Sequence, residues 1–97
     1  LEVEDPSADT YFNLGICHEK LFHFGKAIEF YRKASKLDNF FDEAWYGIGK
    51  CLEAQDKAYE AIHFYQRAIK LDRDNPLYWL AKADAEYKTG NLVSSLE

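Results

Sequence analysis

Two prolines and five glycines are all that interrupt this chain of 97 residues. That scarcity argues against a turn-rich β fold and favours helices. Two cysteines are too few for a disulfide framework. There is no run of Lys and Arg, and the net charge is -5. A nucleic-acid partner, whose phosphates demand a cationic surface, is therefore not expected. No apolar stretch approaches the roughly 20 residues that cross a bilayer, so membrane insertion is not expected either. The opening LEVEDPSADT is acidic and polar rather than signal-like, and a cytoplasmic location is the expectation. No Gly-rich phosphate loop occurs, and Ser94 and Ser95 have no base nearby in the sequence. His18 and His23 do not fall on one helix face, and neither they nor His63 show metal spacing. No enzyme activity, cofactor or metal is expected.

What the chain does have is bulk and repetition. It is 47% hydrophobic and 30% charged, with seven Tyr, seven Phe and two Trp. Such a composition folds, and large flat side chains bury much area each in a small core. The stretch AIEFYRKASKLD at Ala27–Asp38 returns as AIHFYQRAIKLD at Ala61–Asp72, a shift of 34. The same shift lays Ala8–Phe41 on Asp42–Asn75. It matches Gly15 to Gly49, Cys17 to Cys51, Glu19 to Glu53 and Tyr31 to Tyr65. A third copy starts at Pro76, with Trp79 under Tyr11 and Trp45.

Within each copy the apolar residues recur at three and four, as in Tyr11, Leu14, Cys17 and Leu21, and then Ala27, Tyr31 and Ala34. Breaks are predicted at HFG (23–25), DNFFD (38–42) and DRDNP (72–76). Each copy thus predicts two antiparallel helices. Gly15, Gly49 and the alanines at 27, 34, 61 and 68 allow close backbone approach, and Tyr31 and Tyr65 fill the space beside them. One hairpin cannot bury both its faces, so hairpins stack. Cys17 and Cys51 fall on neighbouring helices, too far apart to bridge, and are expected to be small, buried, reduced packers. Of Phe40 and Phe41, one is expected to tuck under the next helix, the alternative being a second contact site at the edge.

The pattern resembles the tetratricopeptide repeat (TPR) family. It matches at Tyr11, Leu14, Gly15, Ala27, Tyr31 and Ala34, then at Trp45, Gly49, Ala61, Tyr65 and Ala68, then at Trp79. KTGN at 88–91 resembles the family's turn, with Gly90 suited to a positive φ. Asn39 and Arg73 replace the usual Pro. The resemblance implies an all-α superhelix, a solenoid of antiparallel helix hairpins. Residues 1–7 are then the tail of an upstream repeat or a linker, 8–41 and 42–75 full repeats, and 76–97 a truncated third. Leu92 and Leu96 would open an unfinished second helix, so a longer array and self-association through exposed ends are expected.

The resemblance also implies a protein–protein interaction module that holds a partner's peptide or helix in its concave groove. The facing positions supply Phe12, Ile16, Tyr46, Lys50, Leu80, Asp84 and Tyr87, with Glu43 and Glu53 near Lys50. Phe12, Tyr46 and Leu80 form one apolar row, which either contacts the ligand or supports the groove wall. Some family members clamp a C-terminal carboxylate. The matching positions here hold Phe12, Ile16, Gly47, Leu77 and Ala81, which cannot do so. The alternative role is an architectural or self-associating scaffold segment of a larger protein.

Overall fold

A computed structural model describes the backbone of residues 7–94 and the side chains of residues 7–90. The described elements are helices α1 (Ala8–Lys20), α2 (Phe24–Leu37), α3 (Asp42–Ala54), α4 (Ala58–Leu71) and α5 (Pro76–Ser94). Each helix packs chiefly on its neighbours in the chain, α1 on α2, α2 on α3, α3 on α4 and α4 on α5. This is the stacking of hairpins that the repeat predicts. Among the described residues there is no strand, and no helix is long and apolar enough to cross a membrane. The expected tail at 1–7 lies almost wholly outside the described residues, as do the side chains of Leu92 and Leu96.

The helix ends follow from local chemistry. Ser7 caps α1, its Oγ accepting from the Thr10 amide. Asn75 Oδ1 accepts from the Leu77 amide at 3.0 Å, and Pro76 takes the first position of α5, where its missing N–H costs nothing. The turn after α1 lies at 21–23, ahead of the predicted HFG break, and Gly25 is already helical. Phe22 makes this turn at φ 64°, and Asp56, its counterpart one repeat later, also has φ 64°. The His23 amide reaches back to the His18 carbonyl at 2.8 Å, and the Lys57 amide to that of Leu52 at 2.8 Å. These bonds close the left-handed helix cap that glycine usually supplies.

A bulky residue in that conformation is strained by roughly 1–2 kcal/mol. Phe22→Gly should therefore raise stability by about 0.5–1 kcal/mol after glycine's own entropy cost. Its melting temperature should rise by more than that of Asp56→Gly, since Asp tolerates this region better. A lowered melting temperature for Phe22→Gly would contradict the account.

Gly90 occupies the same repeat position but stays helical, and α5 runs through the predicted KTGN turn. A reversal there gains only if a second helix packs back.

The core runs along the stack. Ala27, Tyr31, Ala34, Ile48, Cys51, Ala61, Tyr65, Tyr78 and Ala85 are all buried. The first tyrosine shows why small residues matter. A Cβ on Gly15 would lie 2.6 Å from the Tyr31 ring, and one on Gly47 would lie 2.7 Å from it. The ring is therefore held between the backbones of α1 and α3. A Cβ on Gly49 would meet Tyr65 at 2.5 Å. The repeat pattern pointed to Gly15 and Gly49 but not to Gly47, whose counterpart is the exposed Asn13. The loops between hairpins are pinned by indole N–H groups. Trp45 Nε1 donates to the Asn39 carbonyl at 3.1 Å, and Trp79 Nε1 to that of Arg73 at 2.6 Å.

Two expectations need correction. Cys51 is buried, but Cys17 is exposed. Cys51 lies on a helix packed against α2, whereas among the described residues no helix precedes α1. Phe41 does turn inward, but onto Phe12 of the preceding hairpin, with ring centroids 4.8 Å apart, and Phe40 stays 79% exposed.

Candidate functional site

Phe12, Tyr46 and Leu80 sit 34 residues apart in turn, on α1, α3 and α5. Phe12 is half-buried against Tyr31 and Phe41, at 5.6 and 4.8 Å between ring centroids. Tyr46 is half-buried against Tyr65 and Tyr78, at 5.8 and 4.9 Å. Leu80 is 60% exposed. Phe12, Ile16, Tyr46, Lys50 and Leu77 line a recess of about 290 Å³. A smaller recess of about 190 Å³ adjoins it, sharing Tyr46 and Lys50 and adding Leu80 and Asp84. Tyr87 is exposed and lines neither recess.

Lys50 does not reach the carboxylates expected beside it. Its ammonium lies 3.1 Å from Glu19 of the preceding repeat and 5.3 Å from the centroid of the Tyr46 ring. Burial alone lowers its pKa, but the hydrogen bond and charge of Glu19 outweigh that and hold it above its ordinary value. Glu53 is instead held by Lys88 at 2.7 Å. Each of these glutamates also accepts from a tyrosine of its own hairpin, Tyr31 to Glu19 and Tyr65 to Glu53, both at 2.5 Å. Burial, then the carboxylate bond, pushes both phenols far above their ordinary pKa. A third such bond, Tyr78 to Asp42 at 2.6 Å, ties α5 to α3. The identity of Glu19 and Glu53 across the repeat was the available sign of these links; their partners were not legible.

Of the histidines, His18 is used in packing, while His23 and His63 are exposed. His18 stacks on Phe30 at 5.3 Å, with the rings 8° from parallel, and its buried Nδ1 has no hydrogen-bond partner. Among the described residues no group of His, Cys, Asp and Glu could hold a metal ion.

The family model of the tetratricopeptide repeat matches residues 8–41 and 42–75. The chain belongs to the tetratricopeptide repeat family. The fold of this TPR chain is shared by solved structures of low sequence identity. MamA is 21% identical, with a TM-score of 0.84 over 87% of this chain and 49% of its own. The type III secretion chaperone SycD of Yersinia enterocolitica, solved with a peptide of the translocator YopD, is 19% identical. Its TM-score is 0.84 over 96% of this chain and 71% of its own. PcrH of Pseudomonas aeruginosa is 16% identical, with a TM-score of 0.82 over 92% of this chain and 67% of its own. The chain thus spans about half the length of MamA. No curated protein sequence matches it significantly.

Proposed function

We propose that this TPR chain is a protein-interaction module whose partner lays an extended peptide or a helix along α1, α3 and α5, with α5 as the first helix of a third repeat. The observation that carries this reading is the pair of adjoining recesses whose floor repeats every 34 residues as Phe12, Tyr46 and Leu80. Apolar anchors between charged rims are what such partners engage. The SycD complex with a YopD peptide supports the same use of a similar fold. The proposed role is binding rather than catalysis, because the recess is largely apolar and Lys50 and Glu19 are held against each other.

A second reading, a scaffold that associates through its end, is favoured by one residue. Trp45 is covered by Phe64, with ring centroids 6.0 Å apart, and by Arg67, at 4.7 Å from its ring, whereas its counterpart Trp79 is half exposed.

The two readings part in one experiment. Peptides are selected from a random library on the wild-type chain, and their affinities are measured for Leu80→Ala and Ile16→Ala. These side chains lie at least partly exposed in the recesses, so helicity by circular dichroism should persist. Affinity should fall about tenfold or more, the loss expected on truncating an anchor. Undiminished binding to both variants would remove the groove from consideration and leave the scaffold reading.

A further inference from the structure

A separate recess lies between α2, the start of α3 and α4. It measures about 430 Å³ and shares no residue with those described above. Trp45 and Phe64, both half-buried and stacked, form its aromatic side. One face of α2 forms the other, through Arg32, Lys33 and Lys36, with Glu29 as the lone carboxylate of the lining. Residues at such three- and four-residue steps share a helix face. Arg67 adds a further cation, 4.7 Å from the Trp45 ring.

Three lysines elsewhere in the chain are already engaged. Lys50, Lys82 and Lys88 each hold a carboxylate. Among the described residues Arg32, Lys33, Lys36 and Arg67 hold none within 4.0 Å, and all four are exposed; Lys33 lies over the Tyr11 and Phe30 rings and Arg67 over Trp45, which leaves Arg32 and Lys36 with neither a carboxylate nor a ring. They gather beside an aromatic floor in a chain whose net charge is -5. A local cationic ledge against an acidic background is a feature that charge complementarity can read. The repeat extends it, since Lys33 and Lys36 recur as Arg67 and Lys70.

We propose that this ledge is a second binding site, for an acidic peptide segment carrying one apolar or aromatic anchor. The anchor enters the recess of about 430 Å³ beside Trp45 and Phe64, between them and the face of α2. Carboxylates flanking it take charge-assisted hydrogen bonds from Arg32 and Lys36. An acidic peptide suits the site better than nucleic acid. A phosphate backbone needs cations along an extended track, and the remaining surface of this chain repels it.

The test is fluorescence anisotropy with a short fluorescein-labelled peptide of Asp and Glu around a central Phe. Its partner probe replaces every acid by its amide. The acidic peptide should bind about tenfold or more tighter than the amide version and weaken with added salt. Arg32→Glu with Lys36→Glu should abolish that preference. Arg32→Gln with Lys36→Gln, which removes charge without reversing it, should weaken binding while the helical signal stays. Leu80→Ala should leave binding of the acidic peptide unchanged, which separates this site from the groove. Equal binding of both peptides, undiminished binding by the charge-reversed variant, loss in Leu80→Ala, or tighter binding of a single-stranded oligonucleotide would each overturn the proposal.

Discussion

Tyr31→Ala is expected to destabilise the chain by about 3–5 kcal/mol, the range for truncating a large buried aromatic. Three contacts vanish together. The ring leaves the slot between Gly15 and Gly47, and the hydroxyl no longer donates to Glu19. The slot closes poorly, because α2 is packed on both α1 and α3 and cannot move toward one without leaving the other. A cavity therefore persists, and cavity volume dominates the cost of such substitutions. A domain of this size has roughly 5–15 kcal/mol in total, so the loss is a large share of its stability. Tyr31→Phe isolates the hydroxyl. It keeps the ring, strands the Glu19 carboxylate beside Lys50 alone, and should cost about 1–2 kcal/mol. Urea titrations of the three proteins measure both steps. A loss below about 1 kcal/mol for Tyr31→Ala would mean that the glycine slot is not what locks adjacent hairpins together.

The second large effect is chemical. At pH 8 an alkylating agent should modify Cys17 promptly and Cys51 only as the chain unfolds, with rates at least about a thousandfold apart. Cys17 is exposed, while Cys51 is fully buried and its thiol is pushed up to about 12 by burial first and then by the charge of Glu19, against a partial offset from Lys50. About one thiol in ten thousand is then ionised at that pH, and the thiolate is the reacting form. Cys17→Ser should leave a chain that labels slowly until denaturant is added, and Cys51→Ser one that labels at once. Prompt labelling of both would refute the stacking of α3 on α2 at this point.

The same burial has a pH consequence. The unfolded thiol ionises near 9.0 while the folded one stays protonated to about 12. The folded state thus keeps a proton that the unfolded state releases, and stability falls as pH rises through that window. The phenols of Tyr31, Tyr65 and Tyr78, all raised by burial and a carboxylate bond, act in the same direction.

How far the sequence could be read depended on whether a contact is repeated. Tyr31 and Tyr65 recur with Gly15 and Gly49, so both the packing partner and the need for a bare Cα were visible. Gly47 was not, because it faces the hairpin before it and has Asn13 as its counterpart. Cys17 and Cys51 show the same limit from the other side: identical letters, different neighbours, opposite exposure. Position 90 carries the residue best suited to a reversal, yet α5 runs straight through it, so the turn that the repeat predicted there is not formed. Lys50 could be placed beside Tyr46, but the choice of Glu19 over Glu43 or Glu53 depends on the offset between stacked hairpins, which no single chain segment encodes. The resemblance to the repeat family named Phe12, Ile16, Tyr46, Lys50, Leu80, Asp84 and Tyr87 as facing positions; the first six line the two recesses and Tyr87 lines neither.

Each joint between hairpins at the groove is bridged by a lysine on a long, jointed stem, gripping a glutamate that a tyrosine holds still. Such a tether resists separation without fixing an angle. Half-exposed ammonium groups are screened over about 3 Å at molar salt, against about 8 Å under physiological conditions. Raising the ionic strength is therefore expected to loosen these two joints while the helices, held by backbone hydrogen bonds and the buried core, stay intact.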